Sequence, residues 1–207
     1  MDYKNFLFYL ACLVILSVRM VFAVDVGTDT TINVDTTAQQ TITDDNVTLI
    51  NNANINFNGR TAIDMGGRSG TIIINNAGAS IKANQDVIRC TTGNNCTGPV
   101  TLHNFGLISN TSTASDGLVR LDKAAGSIIN NNKGGVIMGV GSEDDGHHAV
   151  DLFTSSTLTN RGTIIRTDNG APGLINVHSA IGIQGNDATV ILKDDSILVG
   201  TISNINA

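Results

Sequence analysis

The chain has 207 residues, a formal net charge of −6, an aromatic content of 4%, no Trp and only two Pro. Lys and Arg form no cluster, which argues against nucleic acid and against anionic membrane surfaces as partners, because both require clustered cations. Because large aromatic anchors are scarce, apolar burial must come from many Ile, Val and Leu side chains in regular layers.

The first 23 residues have the three parts of a secretory signal peptide. Lys4 supplies a positive start, an apolar run follows from Phe6 to Val18, and small residues stand at the cleavage position that ends at Ala23. A membrane anchor is the alternative, but a spanning helix needs about 20 apolar residues, and Arg19 cuts this run short. We therefore expect cleavage after Ala23 and export through the inner membrane.

The exported part divides into two regions. Residues 24–43 are rich in Thr and are predicted to form an atypical N-terminal capping coil. Residues 44–207 are predicted to hold a repeat array, which stops straight after a strand-like segment without a polar cap. We expect this array to be truncated at its C-terminus, because an open last coil would expose unpaired edge backbone.

An Asn-x-Gly signature recurs four times, and neighbouring copies are 28 residues apart. Each copy lies between two β-rich apolar stretches, so the unit is predicted to be strand, turn, strand. Gly accepts the positive φ of a tight corner, and stacked Asn side chains can form a hydrogen-bonded ladder. The alternative is that these Asn residues are solvated loop residues. The predicted turn ladder comprises Asn76 and Gly78, Asn104 and Gly106, Asn132 and Gly134, and Asn160 and Gly162.

A second repeated element lies between the signatures. Its second and fourth positions are apolar and its third is Asp, Arg or Gly, which predicts a strand with the third position facing outward. We expect the outward residues to form a weak surface charge ladder. Amphipathic helix pairs are disfavoured by the period-two alternation and the β-branched residues. The third positions are Asp64, Arg89, Arg120, Asp151 and Gly182.

The phrase apolar-x-Asn-x-Gly-x-Ile, as in Leu158 to Ile164, resembles the degenerate repeats of autotransporter passenger domains. The resemblance implies an all-β fold, a right-handed parallel β-helix of about six to seven coils. It also implies a bacterial cell-surface or outer-membrane location and, in a full-length parent, an outer-membrane β-barrel as partner. The sequence lacks the region that would form such a barrel.

Two cysteines of the exported part, Cys90 and Cys96, are close in sequence. In an exported chain such a pair most simply forms a local disulfide, and closely spaced pairs suit the unfolded export that the resemblance implies. Two free thiols are the alternative, since Cys90 stands in an inward-facing position of its repeat.

Chemistry-bearing motifs are sparse. Glu143 to His148 holds three carboxylates and two imidazoles, and we expect an exposed solvated loop there rather than a metal site. His103 and His178 are expected to be exposed β residues. Serine-nucleophile motifs are absent, and no arrangement suggests a triad. We therefore expect no enzyme activity, cofactor or metal.

These observations predict a non-enzymatic, exported, passenger-like β-helix segment at the bacterial surface. Adhesion or another host interaction is the expected role, with a host surface protein or glycan as partner. A polysaccharide-binding or polysaccharide-cleaving β-helix is the alternative. Cleavage would need carboxylates close together on neighbouring coils, whereas Asp64 and Asp151 are separated by two Arg-bearing coils.

Overall fold

The computed structural model describes residues 23–90, 96–112, 117–121, 123–141, 148–168 and 179–204. Within these ranges the chain is a parallel β-solenoid built from strands and turns, without a helix, which confirms the predicted all-β fold. The predicted signal peptide, except Ala23, lies outside the described residues.

Three parallel sheets run along the stack, and each strand pairs with strands of the preceding and following coils. Sheet A has eight strands: β1 (Val24–Val26), β3 (Gln40–Ile42), β6 (Ile63–Asp64), β9 (Ile88–Arg89), β12 (Gly117–Arg120), β15 (His148–Leu152), β18 (Ser179–Ile183) and β21 (Thr201–Asn204). Sheet B has seven: β2 (Thr30–Ile32), β4 (Thr48–Asn51), β7 (Ile72–Asn75), β10 (Thr101–Asn104), β13 (Ile128–Asn131), β16 (Thr157–Asn160) and β19 (Thr189–Leu192). Sheet C has six: β5 (Asn54–Asn56), β8 (Ser80–Ala83), β11 (Leu107–Asn110), β14 (Val136–Gly141), β17 (Thr163–Asp168) and β20 (Ile197–Val199).

The core is a set of aliphatic columns that run the length of the stack. In sheet A, Val119 pairs with Ile88 on one side and Val150 on the other, and Ile181 continues the column. These four side chains are 0% exposed. A single coil cannot bury its inward face, so stacking supplies the burial, roughly 1.5–3 kcal/mol for each large side chain. The core contains few aromatics because flat layers of β-branched residues already fill it.

The strand register corrects the predicted turn ladder. Asn75, rather than Asn76, pairs with Asn104, and Asn131, rather than Asn132, pairs with both Asn104 and Asn160. The constant 28-residue spacing therefore joins positions that are not equivalent in the structure. Asn76 and Asn132 are the first turn residues after the true ladder positions.

The reason is an alternation of two turn lengths at the corner between sheets B and C. After Asn104 and Asn160 one residue precedes the buried small residue that enters sheet C, whereas after Asn75 and Asn131 three residues do so. We call these the short and long turns. In the long turns Ala79 and Gly135 donate their N–H groups to the carbonyls of Asn76 and Asn132. The sequence pattern alone did not reveal this offset.

Glycine is required at these corners for two different reasons. Gly78 and Gly134, in the long turns, have φ values of 82° and 84°, as predicted for a tight corner. Gly106 and Gly162, at the ends of short turns, are not among the residues with positive φ. A Cβ at Gly106 would lie 2.3 Å from the carbonyl oxygen of Ala79 in the long turn of the preceding coil, so lack of space selects glycine there.

Candidate functional site

An uninterrupted amide ladder lies at the corner between sheets B and C. Each Asn donates from Nδ2 to Oδ1 of the next, at 2.8–2.9 Å, and the last donates to the carbonyl of Ile197. The ladder amides also donate to backbone carbonyls of sheet C, such as Nδ2 of Asn104 to Val136. All are buried, so the ladder serves the structure and leaves no amide available to a ligand. Its members are Asn51, Asn75, Asn104, Asn131 and Asn160.

The outward row of sheet A, unlike the Asn ladder, consists of different residue types. Its predicted alignment across the coils is confirmed. The third positions of the repeat are in register from Asp64 to Gly182, and Ser203 continues the row. The surface charge ladder predicted for this row is wrong, because Arg89 and Asp151 are only 3% and 1% exposed. Packing over this face of the sheet removes these charges from water, which a period-two pattern cannot reveal.

Arg89 is paired within its own coil. Its guanidinium contacts Asp86, a fully buried carboxylate, and Nε of Arg60 lies 3.2 Å from the same oxygen. A buried carboxylate needs such partners because desolvation penalises an isolated charge. This cluster is a charge-neutralising arrangement, so it gives no indication of a ligand.

The most unusual part of the row is the pair formed by His148 and Asp151. Nδ1 of His148 lies 2.7 Å from Oδ1 of Asp151, a close contact that is not aligned as a hydrogen bond, and both side chains are buried. The prediction that His148 belongs to an exposed loop is therefore wrong, since His148 begins β15 and is 2% exposed. Residues 142–147, which hold the other candidate ligands of that loop, lie outside the described residues.

Two glycines make room for this pair. A Cβ at Gly182, the register partner of Asp151 in the next coil, would lie 2.5 Å from Nδ1 of His148. A Cβ at Gly117, in the preceding coil, would lie 2.5 Å from Oδ2 of Asp151. Side chains at either position would displace the imidazole or the carboxylate. The glycine in the predicted repeat is therefore explained by its neighbours across the sheet.

Burial dominates the ionisation of Asp151. It raises the pKa of this carboxyl above the ordinary value, because a low-polarity surrounding disfavours the charged form. The nearby polar groups and charge of His148, the charge of Arg120 and the amide of Gln184 act in the opposite direction, but they are weaker.

Two serines extend the pair towards the outside. Oγ of Ser203 lies 3.4 Å from Nε2 of His148, and it donates to Oγ of Ser179 at 2.7 Å. Ser179 in turn donates to the carbonyl of Ile181. Ser203 is half-buried, whereas His148 and Asp151 are not accessible. The structure thus brings a hydroxyl close to one nitrogen of an imidazole and a carboxylate close to the other.

Sequence reasoning missed this constellation because its members do not follow the repeat. In a regular strand, residues three apart lie on opposite faces, so His148 and Asp151 would not be expected to meet. The register between β18 and β21 shifts between Ser179 and Ile181, and Ser203 lies on β21 beyond this shift. Ser203 is 55 residues from His148, and only Gly182 between them offered a sequence signal.

The remaining candidate residues are placed as follows. Cys90 and Cys96 are joined by a disulfide, which mass mapping of the unreduced protein can test directly. His103 is half-buried on β10, 3.4 Å from Nδ2 of Asn130, and His178 lies outside the described residues. The described residues contain no cluster of three or more metal-ligating side chains, and no helix in them is long and apolar enough to cross a membrane.

Two shallow grooves open on the outer surface. One lies over the short turn at Phe105 and is walled by the long turns at Gly78 and Gly134. The other is lined by Phe57, Lys82 and a row of side chains with amide or hydroxyl groups: Asn56, Asn58, Asn84 and Thr111. Both contain an aromatic ring, and in the second groove polar side chains lie beside it.

Comparison of the chain with protein-family models, curated proteins and solved structures finds no match.

Proposed function

We propose that the chain is an exported, autotransporter passenger-like β-solenoid segment, displayed at the surface of a Gram-negative bacterium, where its outer turns contact a host protein or glycan. The observation that carries the proposal is the continuous three-sheet stack closed by a buried amide ladder. Such a stack can hold surface turns in a fixed array without a ligand or cofactor.

The two outer grooves support contact with a partner. Phe105 is 38% exposed between two projecting turns, and the second groove offers amides, a hydroxyl and one ammonium beside Phe57. Aromatic rings with adjacent polar groups are suited to binding surfaces, because one end of the contact is apolar and the other is hydrated. The groove beside Phe57 favours the alternative, a polysaccharide-binding chain.

Export and display can be tested in the native bacterium. We expect the mature chain to begin at Val24 by mass analysis, and antibodies against it to stain intact cells. The variant Ala23→Asp should retain the first 23 residues, because cleavage requires a small residue there. Staining only after permeabilisation, or an uncleaved N-terminus in the parent chain, would contradict the proposal.

The alternative can be separated from display by incubating the mature chain with neutral and acidic polysaccharides. Retention on one polysaccharide, weakened by Phe57→Ala but not by Ile128→Ala, would favour glycan binding at the groove. Ile128 is a suitable control because it is an exposed apolar residue on sheet B. New reducing or unsaturated ends would instead indicate cleavage.

A further inference from the structure

The line of Ser203, His148 and Asp151 has the connectivity of a nucleophile, its base and the group that orients the base. Oγ of Ser203 faces Nε2 of His148 at 3.4 Å, and Nδ1 of the same ring faces Asp151 at 2.7 Å. The two ring nitrogens therefore have different neighbours, and a small rotation of the Asp151 carboxylate would align it with Nδ1, as proton transfer through an imidazole requires. The contact to Nε2 is at the long end of hydrogen-bond range, which is usual for such sites without substrate.

We infer that Ser203 is an activated nucleophile that accepts acyl groups from small esters, with His148 as the general base and Asp151 as a positioning residue. This inference goes beyond surface display and departs from the expectation of a chain without catalytic chemistry. It concerns the outer face of sheet A, away from both grooves.

Burial and space independently support a built site. His148 and Asp151 are 2% and 1% exposed, whereas half-buried Ser203 stands at the outer end, so a substrate would meet the hydroxyl first. The ring lies directly over Gly182, where any other residue would collide with it.

The acyl transfer balances without a further reactant. The Ser203 hydroxyl, which donates to Oγ of Ser179 at rest, first rotates towards Nε2 of His148. Oγ of Ser203 then forms a bond to the ester carbonyl carbon while its proton passes to Nε2. The tetrahedral intermediate then breaks the bond to the alcohol oxygen, which takes the proton from Nε2 and leaves. Water repeats the sequence on the acyl-serine, releases the acid and restores the hydroxyl. Asp151 holds the imidazole with Nε2 towards Ser203 throughout.

Ser179 is the polar side chain nearest to the reacting oxygen among the described residues. Its Oγ lies 2.7 Å from Oγ of Ser203, and its hydroxyl must leave the carbonyl of Ile181 before it can donate to negative charge that develops on the substrate carbonyl oxygen. One hydroxyl gives limited stabilisation of this charge. We therefore expect slow turnover and a clearer signal from covalent labelling.

The test is labelling of the mature folded chain with a fluorophosphonate probe, with the modified serine located by mass spectrometry. Ser203 should be modified at least 10-fold faster than Ser155, an exposed turn serine, and faster in the folded chain than in urea. Ser203→Ala should abolish this labelling and Ser155→Ala should leave it unchanged. The comparison with urea needs no variant, so a folding defect cannot obscure it.

The roles of the other two residues have separate readouts. His148→Gln should slow Ser203 labelling by about 100-fold, the usual contribution of a general base. Asp151→Asn should slow p-nitrophenyl acetate hydrolysis through kcat more than through KM, because it disorders the base without changing the surface. Equal labelling of Ser203 and Ser155, or of Ser203 in folded and unfolded chain, would overturn the inference, whatever the outcome for surface display.

Discussion

Two polar rows run along this solenoid, and they are built on opposite principles. The corner ladder repeats one residue type, and each Asn both donates to one neighbour and accepts from the other, as Asn104 does between Asn75 and Asn131. The outward row of sheet A contains four residue types, Asp, Arg, Gly and Ser, between Asp64 and Ser203. Both rows contain buried polar groups, but only in the first row do identical side chains of successive coils hydrogen-bond to one another.

The contrast between a uniform and a mixed polar row indicates where specialised chemistry can arise in a repeat protein. A self-complementary side chain satisfies every coil in the same way, so repetition there indicates a structural role. Where residue types vary in one row, each buried group needs its own partner. Arg89 has Asp86, and Asp151 has His148. A site such as that of Ser203 can develop only in a row of this second kind.

The largest expected effect comes from breaking the corner ladder. Asn131→Ala removes the bonds of Nδ2 to Asn160 and to the carbonyl of Thr163, and it takes away the acceptor of Asn104. We expect the free energy of unfolding to fall by about 3 kcal/mol, because buried partners are left without a bond. Urea denaturation followed by circular dichroism measures it.

Asn132→Ala is the matched control for that variant. Asn132 is one residue later, in the long turn, and within the described part of the chain its side chain donates to the carbonyl of Asn130 alone. We expect a loss below about 1 kcal/mol. Equal losses for Asn131→Ala and Asn132→Ala would refute the register that separates them.

The second prediction concerns the space above Gly182. Gly182→Ala places a methyl group against the His148 ring, and we expect a loss of about 2 kcal/mol from the displaced side chains. Gly78→Ala is the comparison variant: its Cβ would meet nothing within 4 Å, but its φ of 82° costs about 1 kcal/mol. Only Gly182→Ala should also slow the labelling of Ser203. A variant as stable as the parent, with unchanged labelling, would show that the ring does not occupy this space.

The third prediction follows from the raised pKa of Asp151. Between the ordinary value of 3.8 and the raised folded value, the folded chain keeps a proton that the unfolded chain has released. This group's contribution to the free energy of unfolding therefore falls as the pH rises through that window. Asp151→Asn removes the effect, so its stability relative to the parent should rise with pH.

Urea midpoints of both proteins from pH 3.5 to 7 measure this difference. Asp194→Asn, at an exposed turn position, is the control and should give a curve parallel to that of the parent. A relative stability of Asp151→Asn that falls with pH would mean that the contacts with His148 and Arg120 outweigh burial.

The smallest expected effect lies at the surface. The pKa of Asp35 is lowered by the backbone N–H of Asn54 and, secondly, by its side-chain amide. Asn54→Ala removes only the amide, so the pKa should rise part of the way to the ordinary value in an NMR titration. Ser80→Ala, which removes the hydroxyl that donates to Oδ1 of Asn54, should leave it unchanged. A full return to the ordinary value would contradict the backbone contribution.

Much of the fold could be predicted because the apolar residues that form the core recur at regular intervals in the sequence. Alternating apolar residues around Val119 and Val150 specify buried columns, and stacking follows from the inability of one coil to bury them. The turn register could not be predicted, because Asn76 and Asn104 share the same signature while their turns differ in length. A recurring motif identifies a corner but does not specify how many residues its turn contains.

The candidate site lay beyond sequence reasoning for another reason. His148 and Asp151 are three residues apart on one strand yet lie 2.7 Å from each other, and Ser203 approaches His148 from two coils away, past a glycine. None of these contacts follows from residue spacing within one strand. Burial of the outward row was also unpredictable, since it depends on what covers the sheet rather than on the strand itself.

The alternation of short and long turns makes two coils, rather than one, the repeating unit of the corner. With coils about 4.8 Å apart, the outer profile repeats every ~9.6 Å. Gly106 and Gly162 each fit under a long turn of the preceding coil. Duplication or loss of a single coil would set like turns against each other, so this solenoid is expected to change length in pairs of coils.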